Sequence, residues 1–446
     1  MKEYSQVILV KLREEVVQNA KSIADLLPKR DGTMGQNAEK EITARDGEGV
    51  LFIFDGWDEL PEKAPGHSII RDILDCKQLH KSSVIITSRP ISSMNLHKLV
   101  NTRIEILGFT KVELQKYFTG CLEDDHGKVK ELQQRIKENP FVEGSCYLPL
   151  NASILVHLFK CDGVLPRTQF GIFSALIRNC IFRHLKKKKE QFDAPGIKSL
   201  DKLPTAIQNQ FECICEIAYK GVIEDHITFD LEHSFNTLGL LQGVESFASG
   251  MPSHSYNFLH LSIQELLAAI HMATKMDPSE QVAQFKELFG RARFSAVFQF
   301  YAAKTKLKTQ GMDEIVIRVV RKCMENKRAT VLTPHSGTNS DLDSGDSSLG
   351  HKSQPLLLSL LHCLFEAQDG TLCQLVAKEL KGELRGLQNI SLSPADCLSV
   401  GYFLTHCRQF KVYLEGCSMG ADGCKALFRK DKQYDLEYLK YVNLAL

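Results

Sequence analysis

The stretch "GVLFIFDGWDELPE", Gly49 to Glu62, decides how the chain is interpreted. Four apolar residues, Leu51 to Phe54, lead directly into Asp55, and two further acids follow at Asp58 and Glu59. Because the apolar residues are consecutive, they predict a strand covered on both faces, as in a parallel sheet flanked by helices. A carboxylate at the carboxyl end of such a strand lies at the edge where open α/β sheets bind ligands.

Further strands are predicted on both sides of this segment. They are "VILVKL" from Val7 to Leu12, "SSVIITSRP" from Ser82 to Pro90 and "TRIEILGFT" from Thr102 to Thr110. A helix is expected within residues 16–27, then a polar loop over residues 28–41, and another helix after Ser68. Strands separated by helices at these spacings indicate crossover units and an open α/β sheet.

The acidic strand end supports nucleotide chemistry. Asp55 can hold Mg²⁺ on the phosphates of a nucleotide, and Asp58 or Glu59 can polarise an attacking water. Arg89 ends the next strand, where a guanidinium can sense a terminal phosphate. The simpler alternatives are an acidic turn without a ligand and a surface arginine before a proline. No phosphate-cradling G-x-x-x-x-G-K-[ST] motif occurs in the 446 residues.

After Thr110 the pattern is mainly helical. Two β-like segments, residues 226–232 and 255–260, enclose the helical-looking residues 235–241 and suit a small winged helix. Ser262 and Glu265 have the spacing of a capping box, which predicts a helix start. Residues 335–353 are rich in Ser, Gly and Asp and predict a disordered insertion.

The final sixty residues carry a leucine-rich pattern. "VYLEGCSM", Val412 to Met419, fits L-x-L-x-x-[NC]-x-L with Cys417 in the ladder-turn position, and Val442-x-Leu444 restarts it. Before it, the sequence S-P-A-D from Ser393 to Asp396 predicts a capped helix with proline at its first position. Two partial repeats need neighbours to bury a continuous core, so we expect the chain to be cut within a repeat array.

The composition is that of a soluble protein of several domains. Hydrophobic residues make up 43% and charged residues 24%, and the net charge of +1 offers no argument for nucleic acid or membrane partners. The apolar stretch from Pro355 to Phe365 is too short to span a bilayer. The 14 cysteines lack zinc-type C-x-x-C pairs and indicate a reducing compartment. The chain is therefore predicted to be cytoplasmic, without a membrane span.

Five motifs in order resemble the Nod-like receptors with a NACHT domain. "LFIFDGWDELPE" resembles their Walker B segment, and "VIITSRP" is similar to their arginine sensor strand. "GF" at Gly108 and Phe109, followed by "CYLPLNASILVHLF", resembles their helical domain with its adenine-facing proline. "YNFLHLSIQELLAA" is similar to the segment where the winged helix hands on to a second helical domain, and leucine-rich repeats follow.

The resemblance implies an α/β domain followed by a mainly α chain. The implied order is a partial P-loop NTPase (NACHT) sheet, a helical domain, a winged helix, a second helical domain and the start of a leucine-rich repeat array. The corresponding boundaries are residues 1–109, 110–165, 166–261, 262–385 with the insertion at 335–353, and 386–446.

The resemblance also assigns roles in the first domain. Asp55 matches the Mg²⁺-organising aspartate, and Asp58 and Glu59 match the acidic pair linked to water activation. Arg89 matches the phosphate sensor. The family binds ATP or ADP with Mg²⁺ through these groups.

Two further roles fall in the helical part of the chain. Pro149 resembles the proline that packs on adenine, although from the residues alone it is a simple helix-start proline. His260 resembles the winged-helix histidine that touches the ADP phosphate and locks the closed state, although from the residues alone a core histidine is the simpler interpretation.

The sequence departs from the family at its front. "YSQVILVKLRE" resembles the strand that follows the P-loop helix, so the P-loop, its lysine and any effector domain have no counterpart here. We therefore expect a truncated receptor whose strand at Val7 to Leu12 has an unpaired edge, and which binds nucleotide weakly or not at all.

Two functions from different classes remain open. The first is an innate-immune switch that holds ADP while closed, exchanges it for ATP when its repeats sense a ligand, and associates with itself or related receptors through the NACHT region. It would be at most a weak ATPase. The second is an interaction or decoy protein that binds related receptors through helical and repeat surfaces without nucleotide. A metabolic ATPase is disfavoured by the repeats.

Overall fold

The computed structural model describes most of the chain in two compact units, Met1–Ile106 and Leu107–Leu446. The described residues are 4–12, 17, 20–27, 32–57, 69–88, 100–102, 104, 106, 108–163, 165–187, 199–232, 235, 237–248, 251–325, 349–385, 387, 390–407, 410–414, 417–428 and 439–440. Of these, no helix combines the length and the apolar character needed to cross a bilayer.

The first unit contains a three-stranded parallel sheet in the order β1-β2-β3. Its elements are β1 (Gln6–Lys11), α1 (Ile23–Leu26), α2 (Gly32–Ala44), β2 (Val50–Asp55), α3 (Ile69–Leu74) and β3 (Ser83–Ile86). The register places Leu9 opposite Ile53, and Ile53 opposite Ile85. The predicted parallel sheet is confirmed, with β1 pairing only with β2 among the described strands.

Two local predictions in this unit are wrong. Helix α2 occupies residues predicted to form a loop, because Ile42 is buried in the core and Glu39 accepts a hydrogen bond from the Ile23 N–H at 3.1 Å. The described residues from Thr102 to Thr110 form no strand, and Ile104 and Ile106 expose more than four-fifths of their surface. No described strand pairs with that segment.

The sheet has one buried face and one open face in the described part of the unit. The side chains of Val10, Phe52 and Phe54 lie in the core with the apolar residues of the three helices. On the opposite face, Val7 and Leu9 expose 59% and 56% of their surface. The described residues therefore cover one face of the sheet, where the sequence predicted two covered faces.

The second unit begins with helices. They are α4 (Lys111–Cys121), α5 (His126–Glu138), α6 (Pro140–Ser145), α7 (Pro149–Asp162), α8 (Gln169–Lys187) and α9 (Thr205–Glu224). An antiparallel sheet in the order β4-β6-β5 follows, made of β4 (Thr228–Phe229), β5 (Leu241–Ala248) and β6 (Met251–Phe258). The β-like segments are thus confirmed as strands. The helix predicted over 235–241 is not formed by the described residues, since Leu238 and Gly239 have positive φ and make a turn.

Further helices complete the core of this unit. They are α10 (Leu261–Lys275), α11 (Pro278–Leu288), α12 (Ser295–Thr305), α13 (Met312–Glu325), α14 (Leu349–Ala367) and α15 (Gly370–Glu379). The tightest pairs are α9 with α10, α10 with α12, and α12 with α14. Most of the predicted insertion at 335–353 lies outside the described residues, but α14 already begins at Leu349.

The C-terminal part alternates short strands and helices. The elements are β7 (Glu383–Leu384), β8 (Ser391–Leu392), α16 (Pro394–Thr405), β9 (Lys411–Tyr413), β10 (Ser418–Met419), α17 (Ala421–Leu427) and β11 (Leu439–Lys440). Strands β7, β9 and β11 form a parallel ladder in which Val412 pairs with Leu384 on one side and Leu439 on the other. The third strand therefore lies before the predicted restart at Val442, which is outside the described residues.

Candidate functional site

Asp55 is the last residue of β2, and its carboxylate is exposed at the carboxyl end of the sheet. The Thr87 hydroxyl, just beyond β3, donates a hydrogen bond to Asp55 Oδ1 at 2.6 Å. The same hydroxyl oxygen accepts from the Gly56 N–H at 3.0 Å. The Thr87 backbone continues the pairing, because its N–H donates to the Phe54 carbonyl and its carbonyl accepts from the Trp57 N–H. Thr87 therefore fixes the orientation of Asp55.

The sheet explains why these two residues meet. Strands β2 and β3 are parallel neighbours, so their carboxyl ends lie side by side at one edge of the sheet. The sequence predicted Asp55 from its position after an apolar run, but it did not predict Thr87. The available signal was the first polar residue after the apolar run of "VIITSRP", where a hydroxyl can reach the neighbouring strand end.

Three predicted site residues lie outside the described residues: Asp58, Glu59 and Arg89. Their roles stay predictions from the sequence. The structure does place the strand that precedes Arg89 next to the strand that ends in Asp55.

The donor set at Asp55 fits a magnesium ion of the kind that accompanies nucleotides. Such ions take one or two protein carboxylates and complete their shell with water and phosphate oxygens. An exposed carboxylate with one oxygen already oriented by a hydroxyl meets this requirement. Elsewhere in the described chain, no group of three or more His, Cys, Asp and Glu side chains is arranged to hold a metal by itself.

Pro149 is the first residue of α7 in the second unit and is exposed to solvent. Its apolar neighbours Leu148 and Leu150 are also exposed, at 36% and 38%. Proline suits this position, because the first helical N–H has no intrahelical acceptor. The exposed apolar surface is compatible with a flat apolar ligand, but Pro149 also satisfies the simpler interpretation of a helix-start proline.

The turn before Pro149 is held by the segment at Gly108 and Phe109. The Phe109 N–H donates to the Tyr147 carbonyl at 2.7 Å. Gly108 has φ of +86°, and a Cβ atom there would lie 2.1 Å from the Tyr147 carbonyl oxygen. Only glycine fits both the conformation and the close approach. The sequence "GF" therefore positions the Tyr147–Pro149 turn within the second unit.

His260 is the N-cap of α10, and its side chain is exposed. Its Nδ1 atom accepts a hydrogen bond from the Ser262 N–H at 3.0 Å. In the neutral imidazole the proton then lies on Nε2, which leaves that nitrogen as a donor. The ring also stacks against Phe173 of α8, with 6.4 Å between ring centroids. The alternative of a buried core histidine is wrong.

The capping box predicted at the start of α10 is wrong, because a different residue caps this helix. The sequence predicted a capping box between Ser262 and Glu265, but the helix begins at Leu261 and is capped by the imidazole. Glu265 is buried, with 3% of its surface exposed, so it does not reach back to the helix end as a box requires. A histidine cap has no strong sequence signal, because serine, threonine, aspartate and asparagine dominate this position.

Residues 1–125 match the NACHT domain. The whole chain is similar to the NACHT, LRR and PYD domains-containing protein 1 homolog of Danio rerio, with 22% identity over 95% of this chain and 32% of that protein. It is also similar to the human NACHT, LRR and PYD domains-containing protein 12, with 23% identity over 84% of this chain and 37% of that protein.

A third relative is similar over most of this chain. Protein NLRC5 of Ictalurus punctatus is 23% identical over 86% of this chain and 24% of its own length. The chain thus spans between 24% and 37% of the length of these relatives. The NACHT match covers the parallel sheet and its Asp55, and the similarity to the relatives continues through the helical unit. Residues 1–125 of the chain therefore resemble a NACHT domain, and most of the chain is similar to proteins with NACHT and LRR domains.

Proposed function

We propose that this chain is part of a cytoplasmic innate-immune switch whose conformation depends on ADP or ATP. The observation that carries the proposal is the Asp55 carboxylate, oriented by Thr87 at the carboxyl edge of the parallel sheet inside the NACHT match. That is the edge and the ligand type at which α/β nucleotide sites hold Mg²⁺. When bound, the magnesium ion would neutralise phosphate charge.

Each of the candidate site residues would have its own role in binding the nucleotide. Asp55 would hold the magnesium ion, Arg89 would contact a terminal phosphate, and Asp58 with Glu59 would orient water. In the second unit, the exposed apolar surface at Pro149 would accept adenine. His260 would donate its Nε2 proton to a phosphate oxygen, because its Nδ1 atom is engaged by the Ser262 N–H.

We infer the order of the domains from the order of the helices and strands along the chain. Helices α4 to α7 would form the first helical domain, residues 110–165. The antiparallel sheet β4-β6-β5 with its flanking helices supports a winged helix within residues 166–261. Helices α10 to α15 would form the second helical domain, residues 262–385. The parallel ladder of β7, β9 and β11 supports the start of a leucine-rich array over residues 386–446.

The ladder position of Cys417 supports that last assignment. Its side chain is buried, and its thiol donates a hydrogen bond to the Leu387 carbonyl of the preceding turn of chain. In leucine-rich repeats this position ties one repeat to the next. We propose that the repeat surface receives a ligand and that the NACHT region associates with a second copy or a related receptor.

A second function is favoured by one observation in the sequence. The chain contains no G-x-x-x-x-G-K-[ST] motif, and without its backbone amides and lysine most of the phosphate-binding energy is missing. The alternative is a protein that binds related receptors through helical and repeat surfaces, independently of nucleotide. Under this alternative any ATPase activity is absent.

The deciding experiment is the nucleotide content of the natively purified chain, measured by denaturation and chromatography of the supernatant. It is followed by titration with ADP and ATP in the presence of Mg²⁺ and by sedimentation of each form. ADP that copurifies near one equivalent, and association that changes with ATP, support the switch. An empty protein that binds no nucleotide at millimolar concentrations but still associates with a related receptor supports the alternative.

A further inference from the structure

A small cavity of about 40 Å³ lies within the second unit, and neither Pro149 nor His260 lines it. Its walls come from the Tyr147–Leu148 turn, the first residue of α8, and helices α12, α14 and α16. Glu366 of α14 faces this cavity, although only 3% of its surface is exposed. Burying an ionised carboxylate costs free energy unless hydrogen bonds compensate it. The hydrogen-bond partners of Glu366 therefore show what its burial stabilises.

Glu366 bonds to the first turn of α8. Its Oε1 atom accepts from the Gln169 N–H at 3.1 Å, and its Oε2 atom accepts from the Phe170 N–H at 3.2 Å. These are the first two residues of the helix, whose N–H groups have no intrahelical acceptor. The Thr168 hydroxyl accepts from the next N–H, that of Gly171, at 3.1 Å. The carboxylate thus completes the cap of α8 from a distant helix, where the helix dipole favours negative charge.

A second polar link lies one turn earlier on α14. His362 Nε2 contacts Asp396 Oδ1 of α16 at 2.8 Å, and His362 Nδ1 contacts Gln299 Nε2 of α12 at 3.3 Å. An imidazole that donates from Nε2 and accepts at Nδ1 satisfies both contacts while neutral. The start of α8 and the start of α16 are therefore both bonded to one face of α14.

The charged surroundings of Glu366 come from several elements. His362 lies on its own helix, and Lys306 at the end of α12 also acts on it. Asp396 of α16 contacts His362, and Tyr147 lines the cavity. Burial raises the pKa of Glu366 to about 7, against the opposing effect of the two N–H bonds, His362 and Lys306.

We propose that Glu366 is a proton-dependent clamp that fixes the first turn of α8 to α14 when it is ionised and loosens that turn when it is protonated. The ionised form accepts both N–H bonds with the strength of charge-assisted bonds. In the protonated form one oxygen carries a hydrogen and is a donor, so one N–H loses its acceptor and the other bond is between neutral groups.

The clamp acts on elements that carry proposed site residues. Helix α8 also carries Phe173, which stacks against His260, and the Tyr147–Leu148 wall of the cavity directly precedes Pro149. A change at the start of α8 therefore affects the helix that contacts His260 and the cavity whose wall directly precedes Pro149. The clamp itself does not depend on nucleotide binding, whereas its effect on a nucleotide rests on the proposed function.

Hydrogen exchange of the full chain tests the clamp directly. Exchange of the Gln169 and Phe170 amides is measured between pH 6 and pH 8 and corrected for the intrinsic pH dependence. We expect protection about fivefold higher at pH 8 than at pH 6, which is the factor that a difference of about 1 kcal/mol in hydrogen bonding gives. In Glu366→Gln, protection is expected to stay at the lower level across the range.

The controls separate Glu366 from other groups. Glu379→Gln removes a carboxylate of α15 that pairs with Arg321 of α13, so it is expected to keep the wild-type pH profile. If Glu366→Gln also keeps the profile, another group such as His362 titrates and the proposal is wrong. If that variant does not fold, the wild-type chain still decides: equal pH behaviour of the first turn of α8 and the middle of α9 overturns the clamp.

Discussion

Thr87 shows how a single hydroxyl can organise a strand end. It bonds the side chain of Asp55 and the backbone of Gly56 at once, and it lies beside Trp57, the only tryptophan of the chain. Nothing in the composition of "VIITSRP" distinguishes its threonine from any other. Its role follows from the parallel register of β2 and β3, which places residue 87 opposite the end of β2.

Replacement of this hydroxyl gives the first prediction. In Thr87→Val the Gly56 N–H loses its acceptor and Asp55 loses its donor, so we expect the first unit to lose about 1 kcal/mol of stability. Thr87→Ser keeps the hydroxyl and is expected to stay close to wild type. Denaturation followed by Trp57 fluorescence measures both variants, and a Thr87→Val variant as stable as wild type would show that the hydroxyl bonds do not stabilise the unit.

The imidazole cap of α10 gives the second prediction. His260→Ala removes the acceptor for the Ser262 N–H and is expected to cost about 1 kcal/mol. His260→Asn supplies another good N-cap and is expected to recover most of that loss. Chemical denaturation followed by circular dichroism provides the comparison. A destabilised Asn variant would show that the stacking on Phe173, and not the cap, supports the histidine.

At the scale of elements, two glycines with opposite surroundings make a matched pair. Gly108 has a positive φ and lies against the Tyr147 carbonyl, whereas Gly120 lies inside α4 with no atom within 4 Å of a Cβ built on it. Gly108 allows the turn before α7 to form, whereas Gly120 lowers the stability of its helix because glycine has a low helix propensity.

Alanine at these two positions gives the third prediction. Gly108→Ala is expected to cost at least about 2 kcal/mol, from the left-handed backbone and the overlap with Tyr147. Gly120→Ala is expected to stabilise by up to about 1 kcal/mol, because alanine has the higher helix propensity. Thermal denaturation of both variants measures this difference. A neutral Gly108→Ala would mean that the turn before Pro149 can adjust.

Elements with a strong local signal were predictable from the sequence. The apolar run before Asp55 predicted β2, and the S-P-A-D sequence predicted α16, whose capping box between Ser393 and Asp396 is present. The same kind of box failed at Ser262, because Glu265 is used in the core instead. At Ser262 the motif therefore predicted that a helix begins, but not which residue caps it.

Contacts between distant parts of the chain were not predictable in this way. Gln169 and Glu366 are separated by 197 positions, and no residue pattern near either one signals the bond. The same limit applied to the candidate functional site, where contacts between strands could not be predicted. Asp55 was predictable from its own strand, while Thr87 depended on which strand lies beside it.

At the scale of the whole molecule, the two units can be observed separately. Trp57 belongs to the first unit, so its fluorescence reports there, while the helices that dominate the far-UV circular dichroism lie mostly in the second unit. A change within the second unit is therefore followed most directly by circular dichroism.

The pH dependence of stability gives the fourth prediction. The pKa of Glu366 is raised from 4.5 to about 7 by burial, so the folded chain keeps a proton that the unfolded chain has lost between these values. The free energy of complete unfolding of the second unit, which transfers the carboxylate to water, is therefore expected to fall as pH rises from about 4.5 to about 7, by at most about 3 kcal/mol. Above pH 7 this contribution is constant. The proposed local bond to α8 has the opposite pH dependence, because loosening that turn leaves Glu366 buried.

Comparison with Glu366→Gln isolates this contribution. The pKa of Asp369 is lowered to about 2, mainly by the Thr371 hydroxyl, so its stabilisation is already complete above pH 4 and does not change in this window. The pKa of His271 is lowered by burial, which makes stability rise with pH and opposes Glu366. Circular dichroism midpoints should show a fall in wild type relative to the glutamine variant, with unchanged Trp57 midpoints. Parallel curves for the two proteins would contradict the prediction.

The bond between α14 and the start of α8 also bears on the order of events during synthesis. Strands of the first unit pair within its own length, so their partners have all been translated once residue 106 has emerged. The first turn of α8 must wait for Glu366, which at about 5–20 residues per second arrives roughly ten seconds or more after Gln169. During that interval the Gln169 and Phe170 N–H groups lack their carboxylate acceptor. This segment is then accessible to a chaperone before Glu366 is translated.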